Sequence, residues 1–344
     1  MNTLQSSSIP KSSANKTKYV SLFALLSALV IALFCASCTL GSTSASVKNA
    51  LTAFFYDNTQ NIDFKIIFYI RLPRTIAAVL AGSALAVSGV IIQAVLSNPM
   101  AAPNVIGVNS GAGFMATLII ALFPSSLWAL PISAFVGALC ACLFIYVLSI
   151  KTNASKLTIT LVGIAVGSIL NAGINAIKVI FPDSVYDADM FMIGGFSGIT
   201  YNKLTFAAVI IIISFVIAFI LAKDIDILCI GENTAKSLGQ NVMLLRLALL
   251  IIASALAGAA VSFAGLLGFV GLLVPHIMRK FVGNRHRLLI PASAIFGSGL
   301  VILCDIFSRI VFAPYEIPVG IVLSIIGGIF FISLVLFSKR GGSL

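Results

Sequence analysis

Two histidines, six cysteines and ten carboxylates are the whole supply of metal-ligating and acid–base side chains in a chain of 344 residues. His276 follows Pro275, His286 lies between Arg285 and Arg287, and neither has Cys, His, Asp or Glu neighbours at zinc-ligand spacing. The pair Cys35-x-x-Cys38 sits in an apolar run where a thiolate is disfavoured, so it reads as helix packing rather than a redox or metal pair. Cys140, Cys142, Cys229 and Cys304 read as small apolar residues. The phosphate-cradling pattern Gly-x-x-x-x-Gly-Lys-[Ser/Thr] is absent, so this chain is not expected to hydrolyse ATP itself. No catalytic residue, metal or cofactor is expected.

What remains is a handful of isolated charges. Arg71 and Arg74 are three apart and share one face if helical. Their planar forks suit bidentate capture of carboxylates, while snorkelling to a membrane interface explains many such arginines equally well. Arg309 follows Asp305 by four residues and could simply be neutralised by it. Glu232 and Lys236 form one i,i+4 pair, and Ala235, Leu238 and Gly239 beside them offer a small apolar knob.

The elements that must hold these charges follow from composition. Hydrophobic residues make up 60% and charged residues 9%, against about 25% charged in a soluble domain. Such a chain is a polytopic membrane protein. A bilayer core of about 30 Å needs about 20 apolar residues per helix. Runs of that kind lie near 19–40, 72–96, 104–123, 128–149, 157–181, 203–222, 244–263, 266–281, 288–311 and 318–337. The stretch 247–278 lacks Lys, Arg, Asp and Glu and as one helix would measure about 48 Å, so a break is placed at Gly265-Leu266-Leu267-Gly268. The expected fold is all-α with about ten transmembrane helices. One transmembrane domain spans 19–338, between tails at 1–18 and 339–344, with its longest inner loop at 224–246.

Ten spans put both termini on one face. That face collects 14 of the 21 basic residues, so the positive-inside rule makes it cytoplasmic and gives it the whole net charge of +11. The excess therefore sets orientation and is no evidence for nucleic acid. A signal-peptide reading of the first apolar run gives way to a first span, because nine more follow it. Residues 81–89 recur at 257–265, an offset of 176 that also aligns Pro99 with Pro275 and Gly107 with Gly283. Five intervening spans would invert the second copy, the arrangement of many transporters, although Gly/Ala-rich helices resemble one another by chance.

Three stretches, read in order, resemble the FecCD-type permease family, the membrane subunits of type II ABC importers for iron–siderophore complexes, haem and cobalamin. The first is Arg71-Leu72-Pro73-Arg74 followed by Gly82, Gly89, Gln93, Asn98-Pro99 and Gly107. The second is Gly231-Glu232-Asn233-Thr234-Ala235-Lys236-Ser237-Leu238-Gly239. The third contains Gly271, Pro275-His276, Asp305, Arg309 and Glu316-Ile317-Pro318-Val319-Gly320. One departure is Asn284-Arg285-His286-Arg287, where the family often has an acid before His-Arg.

The resemblance implies that Arg71, Arg74 and Arg309 dock an extracytoplasmic substrate-binding protein. It implies equally that Glu232, Ala235, Leu238 and Gly239 belong to a coupling helix seated in a cytoplasmic ATPase, and that a short extra helix lies within 181–202. The remaining motif residues serve helix packing. The assembly would pair two copies, or a copy and a paralogue, in a bacterial cytoplasmic membrane. Ferric siderophore is the expected cargo, with haem or cobalamin as alternatives. An ion-coupled secondary transporter would keep ionisable residues near the bilayer midplane, which only Asp305, Lys178 and Arg309 approach. An intramembrane enzyme would need a catalytic cluster that is missing.

Overall fold

In the computed structural model, the described residues are 12–43, 45–55, 60–124, 126, 128–151 and 156–338. The tails at 1–11 and 339–344, with Lys11, Lys339 and Arg340, lie outside them, as does Asp57. Among the described residues the structure is helical with no strand.

The chain opens with α1 (Ser12–Thr39), which takes in the last residues of the expected tail. A short α2 (Val47–Phe55) and α3 (Ile62–Lys65) follow, and α3 runs through a π turn at Ile66–Arg71 into α4 (Leu72–Val95). Pro73 stands just past the π turn inside this continuous helix; it has no N–H to give the preceding turn, where the Phe68 carbonyl accepts from the Tyr201 hydroxyl at 2.7 Å instead. Next come α5 (Val108–Leu122), α6 (Ala129–Lys151), α7 (Lys156–Ile180), α8 (Val185–Ile193) and α9 (Tyr201–Ile220). The region 222–237 holds α10 (Ala222–Ile230) and α11 (Glu232–Ser237), so the expected inner loop is largely two short helices. Last are α12 (Val242–Ala264), α13 (Val270–Val282), α14 (His286–Ile310) and α15 (Val319–Ser338).

All ten expected spans have a helix, and the break falls where the length limit put it. Gly265, at φ 67°, ends α12, and α13 begins five residues later. Among the described residues seven helical segments are long and apolar enough to cross a membrane, while α5 and α13 are shorter than about 20 residues.

Helix α4 is the centre of the bundle, buried along nearly its whole length against α12, α13 and α14. Glycine permits this closeness. A Cβ on Gly82 would collide with the Gly297 carbonyl of α14, and one on Gly89 with the Gly271 carbonyl of α13. Hydroxyls stitch the same seams: Ser88 donates to the Ala253 carbonyl at 2.7 Å and Ser298 to the Val79 carbonyl at 3.0 Å.

Packing is reciprocal in the way a repeat requires, since α4 lies against α14 while α12 lies against α6. The alignment of prolines, however, is not structural. Pro99 is exposed in the connection before α5, whereas its supposed counterpart Pro275 is buried inside α13. Gly107, at φ 78°, precedes α5, but Gly283, at φ 75°, follows α13. The shared spacing there joins different parts of different elements.

Candidate functional site

Charge is gathered at the two ends of α14. At its C-terminal end, α14 meets the end of α1, the start of α4 and the segment entering α15. Arg74 of α4 brackets Asp305: its Nε lies 3.0 and 3.2 Å from the two carboxylate oxygens and its Nη2 3.0 Å from Oδ1. The other Arg74 nitrogen, Nη1, donates to Glu316 Oε2 at 2.6 Å. Arg309, one turn beyond Asp305, closes on the same carboxylate at 3.1 Å. It also donates to the Ser37 and Leu40 carbonyls at 3.1 Å and to Ser37 Oγ at 2.6 Å. Arg71 donates to the backbone carbonyls of Cys38, Thr39 and Thr43. Cations there match the exposed carbonyl end of α1 and its dipole.

The cluster is almost dry. Relative exposure is 4% for Arg71, 7% for Arg74, 2% for Arg309 and 0% for Asp305. This corrects the picture of three guanidiniums presented on an open rim. Each is turned inward because an unpaired buried carboxylate, or a helix end without partners, costs more than the lost solvation of a well-paired arginine. Only Glu316 reaches solvent, where Ser42 Oγ donates to it at 2.8 Å. Burial by itself pushes its carboxyl up, but Arg74, Ser42 and Arg309 outweigh that and hold it below the usual glutamate range. A cavity of about 380 Å³ opens beside it, lined by Arg74, Glu316, Pro318, Asp187, Lys203 and Phe191 among others.

Three breaks in helix meet next to this cavity. The Gly195 N–H donates to the Ala264 carbonyl at 2.8 Å, the Leu266 N–H to the Phe191 carbonyl at 3.1 Å, and the Gly320 N–H to the Gly194 carbonyl at 3.1 Å. Gly320 has to be glycine, for a Cβ would strike the Ile193 carbonyl. On the far side of the junction a groove of about 580 Å³ is lined by Asn109, Met192, Leu266, Gly268, Gly320 and Ser324 among others. Irregular backbone inside a helical bundle is tolerated where protein buries it or a cavity hydrates it.

The opposite end is built differently. Ala235 of α11 is fully buried, whereas Leu238 is 64% exposed and Gly239, at φ 81°, faces open space. Glu232 accepts from Lys236 at 3.1 Å and from Arg246 of α12 at 2.9 Å. Lys236 first, then Arg246, holds the Glu232 carboxyl below its usual range. Asn241 caps α12 through its side chain, which accepts from the Leu244 N–H at 3.1 Å.

On the same side as α10, Gln93 in the last turn of α4 donates to the Gly271 carbonyl at 3.3 Å and accepts from Arg279 in the last turn of α13. Gly89 and Gln93, four apart on one helical face, thus hold the same point of α13. His276 packs its ring edge-on against Phe330 at 5.8 Å, and no group of three His, Cys, Asp or Glu able to hold a metal occurs among the described residues. Asn98 accepts from the Met100 N–H at 2.9 Å and shapes its turn. Two partnerships had no sequence signal: the α1 carbonyls that receive Arg71 and Arg309, and a contact between Asp226 and His286, 60 residues apart.

A helical bundle of this kind, apolar along its flanks, glycine-seamed at its centre and charged only at its ends, is a polytopic membrane transport subunit. The FecCD transport family model matches residues 29–337, and the chain belongs to that family. It is 35% identical over 320 residues to the Fe(3+)-citrate import system permease protein YfmE of Bacillus subtilis (strain 168), covering 92% of this chain and 95% of that one. It is 32% identical over 318 residues to the hemin transport system permease protein HmuU of Yersinia pestis, covering 91% and 94%. Among solved structures it matches an ABC transporter assigned to the metal-chelate type, in an inward-facing conformation, with a TM-score of 0.83 and 28% identity over 92% of this chain and 99% of that one.

Proposed function

We propose that the chain is the membrane permease of an ABC importer in a bacterial cytoplasmic membrane, carrying a ferric siderophore or related iron chelate by alternating access. Cytoplasmic ATPase subunits supply the energy, an extracytoplasmic binding protein delivers the cargo, and a second copy or a paralogue completes the path. Both termini and α11 face the cytoplasm, and the arginine cluster faces outward. The observation that carries this reading is the contrast between the ends of the bundle: a solvent-facing knob of Leu238 and Gly239 at one, a closed charge cluster beside a cavity at the other. Relatives named for ferric citrate, ferric hydroxamate and hemin import support an iron-containing cargo.

Arg71, Arg74 and Arg309 serve docking by holding the rim in shape, with Glu316 and Lys203 at the cavity mouth in reach of a partner. A secondary transporter is disfavoured on a specific observation. Asp305, the deepest carboxylate, is already neutralised by Arg74 and Arg309, and Lys178 is paired with Asp189. The test is uptake of radiolabelled ferric siderophore, ferric citrate and haem into vesicles holding the complete importer. ATP-dependent uptake of an iron chelate is expected; uptake driven by a proton gradient without ATP rejects the reading.

A further inference from the structure

The geometry points to a positioning role that no motif announces: we propose that Asp226 and His286 form the strut through which movement of α10–α11 reaches α14. This rests on the reading that α11 seats the ATPase. One oxygen, Asp226 Oδ1, accepts twice from the same residue, from the His286 backbone N–H at 2.9 Å and from ring Nδ1–H at 2.6 Å. A carboxylate only accepts, so the ring proton sits on Nδ1. Arg285, in the N-cap position of α14, makes no side-chain cap bond, so Asp226 satisfies an end N–H from another element. The His286 side of the contact is buried, while the Asp226 carboxylate keeps 36% of its surface in solvent, so the geometry of the paired N–H groups rather than isolation from water fixes it.

The rest of α10 behaves as a rigid base for that carboxylate. Ile225 and Leu228 are buried, and α10 packs on both α4 and α14. Gln240, just past α11, reaches back to the Asp224 carbonyl at 3.1 Å, which closes α10, α11 and the following turn into one unit. Glu232 also ties the unit to Arg246 of α12, but through a single ion pair whose carboxylate is 41% exposed, with no backbone N–H in the contact. Displacement of the knob therefore passes to the start of α14. That helix of 25 residues, about 37 Å long, ends at Asp305 and Arg309, inside the arginine cluster. A helix fastened at both ends carries motion between two faces, and in α14 only the turn around Pro291, near the His286 end, lacks a rung of the hydrogen-bond ladder.

The experiment uses the complete reconstituted importer and reads cargo moved per ATP hydrolysed, with membrane level and ATPase co-purification measured alongside. Asp226→Ala and His286→Leu are each expected to lower that ratio about tenfold with ATP hydrolysis and assembly intact. The double variant is expected to be no worse than either single one, because the two act as a unit. His286→Asn, whose amide nitrogen falls near the position of Nδ1, is expected to restore coupling, which separates the hydrogen bond from mere ring packing. A wild-type ratio in Asp226→Ala and His286→Leu, or multiplicative losses in the double variant, overturns the strut. Leu238→Asp tests the underlying seat: loss of the co-purified ATPase supports it, and retention overturns seat and strut together.

Discussion

The two ends of the bundle hold charge in opposite ways. At the arginine end, Arg74 and Arg309 converge on a carboxylate with no solvent contact, and every guanidinium nitrogen the cluster uses has a fixed acceptor. At the α11 end, Glu232 and Lys236 meet in water and could separate at little cost. A saturated buried cluster resists change in shape, because each partner removed leaves another unpaired in low dielectric. An exposed pair beside an apolar knob is free to adapt to a second protein. The contrast assigns the permanent structure to one end and the exchangeable contact to the other.

The sharpest way to break that comparison is at its buried end. Asp305→Ala strands two arginines and should cost about 3–5 kcal/mol, read as a large fall in the melting temperature of the purified subunit in detergent. An unchanged melting temperature would mean that water reaches the cluster. Next in size is the seam that joins the two ends: Gly89→Ala forces its new Cβ against the Gly271 carbonyl and should cost about 1–3 kcal/mol in the same assay.

Glu316→Gln is milder, about 1 kcal/mol once its solvent exposure is allowed for. Because pairing depresses the Glu316 carboxyl, the pair's contribution is complete above the ordinary glutamate value of about 4.3 and disappears as pH falls through the lower folded-state value. Wild type and Glu316→Gln should therefore differ in melting temperature at neutral pH and converge in acid. The smallest effect belongs to the exposed end. Glu232→Gln should change stability by less than about 0.5 kcal/mol, and high salt should abolish even that difference.

Much of the fold was legible because a bilayer imposes a length. Ten apolar runs became ten helices, and the split at Gly265 followed from a run too long for one crossing. The site was legible as residues and illegible as geometry. Arg71, Arg74, Asp305 and Arg309 stood out by rarity, but spacing along a chain says nothing about exposure, and their acceptors at the end of α1 are backbone carbonyls that any sequence carries. Glu316 read as part of a packing motif and proved to be the cluster's one solvent-facing carboxylate. Asp226 and His286 meet only because α10 folds back on α14. The aligned prolines misled because proline marks turns and helix interruptions alike, here a connection at Pro99 and a helix interior at Pro275.

The glycine seam along α4 has a further consequence. Where Gly82 faces Gly297 and Gly89 faces Gly271, backbone lies on backbone, and no rotamer has to be frozen to close the contact. Interlocked leucines would act as teeth and fix two helices in discrete notches. Two smooth faces carry no such teeth, so the position of α14 and α13 along α4 is set by the polar pins instead: Arg74 on Asp305, Ser298 on the Val79 carbonyl and Gln93 on the Gly271 carbonyl.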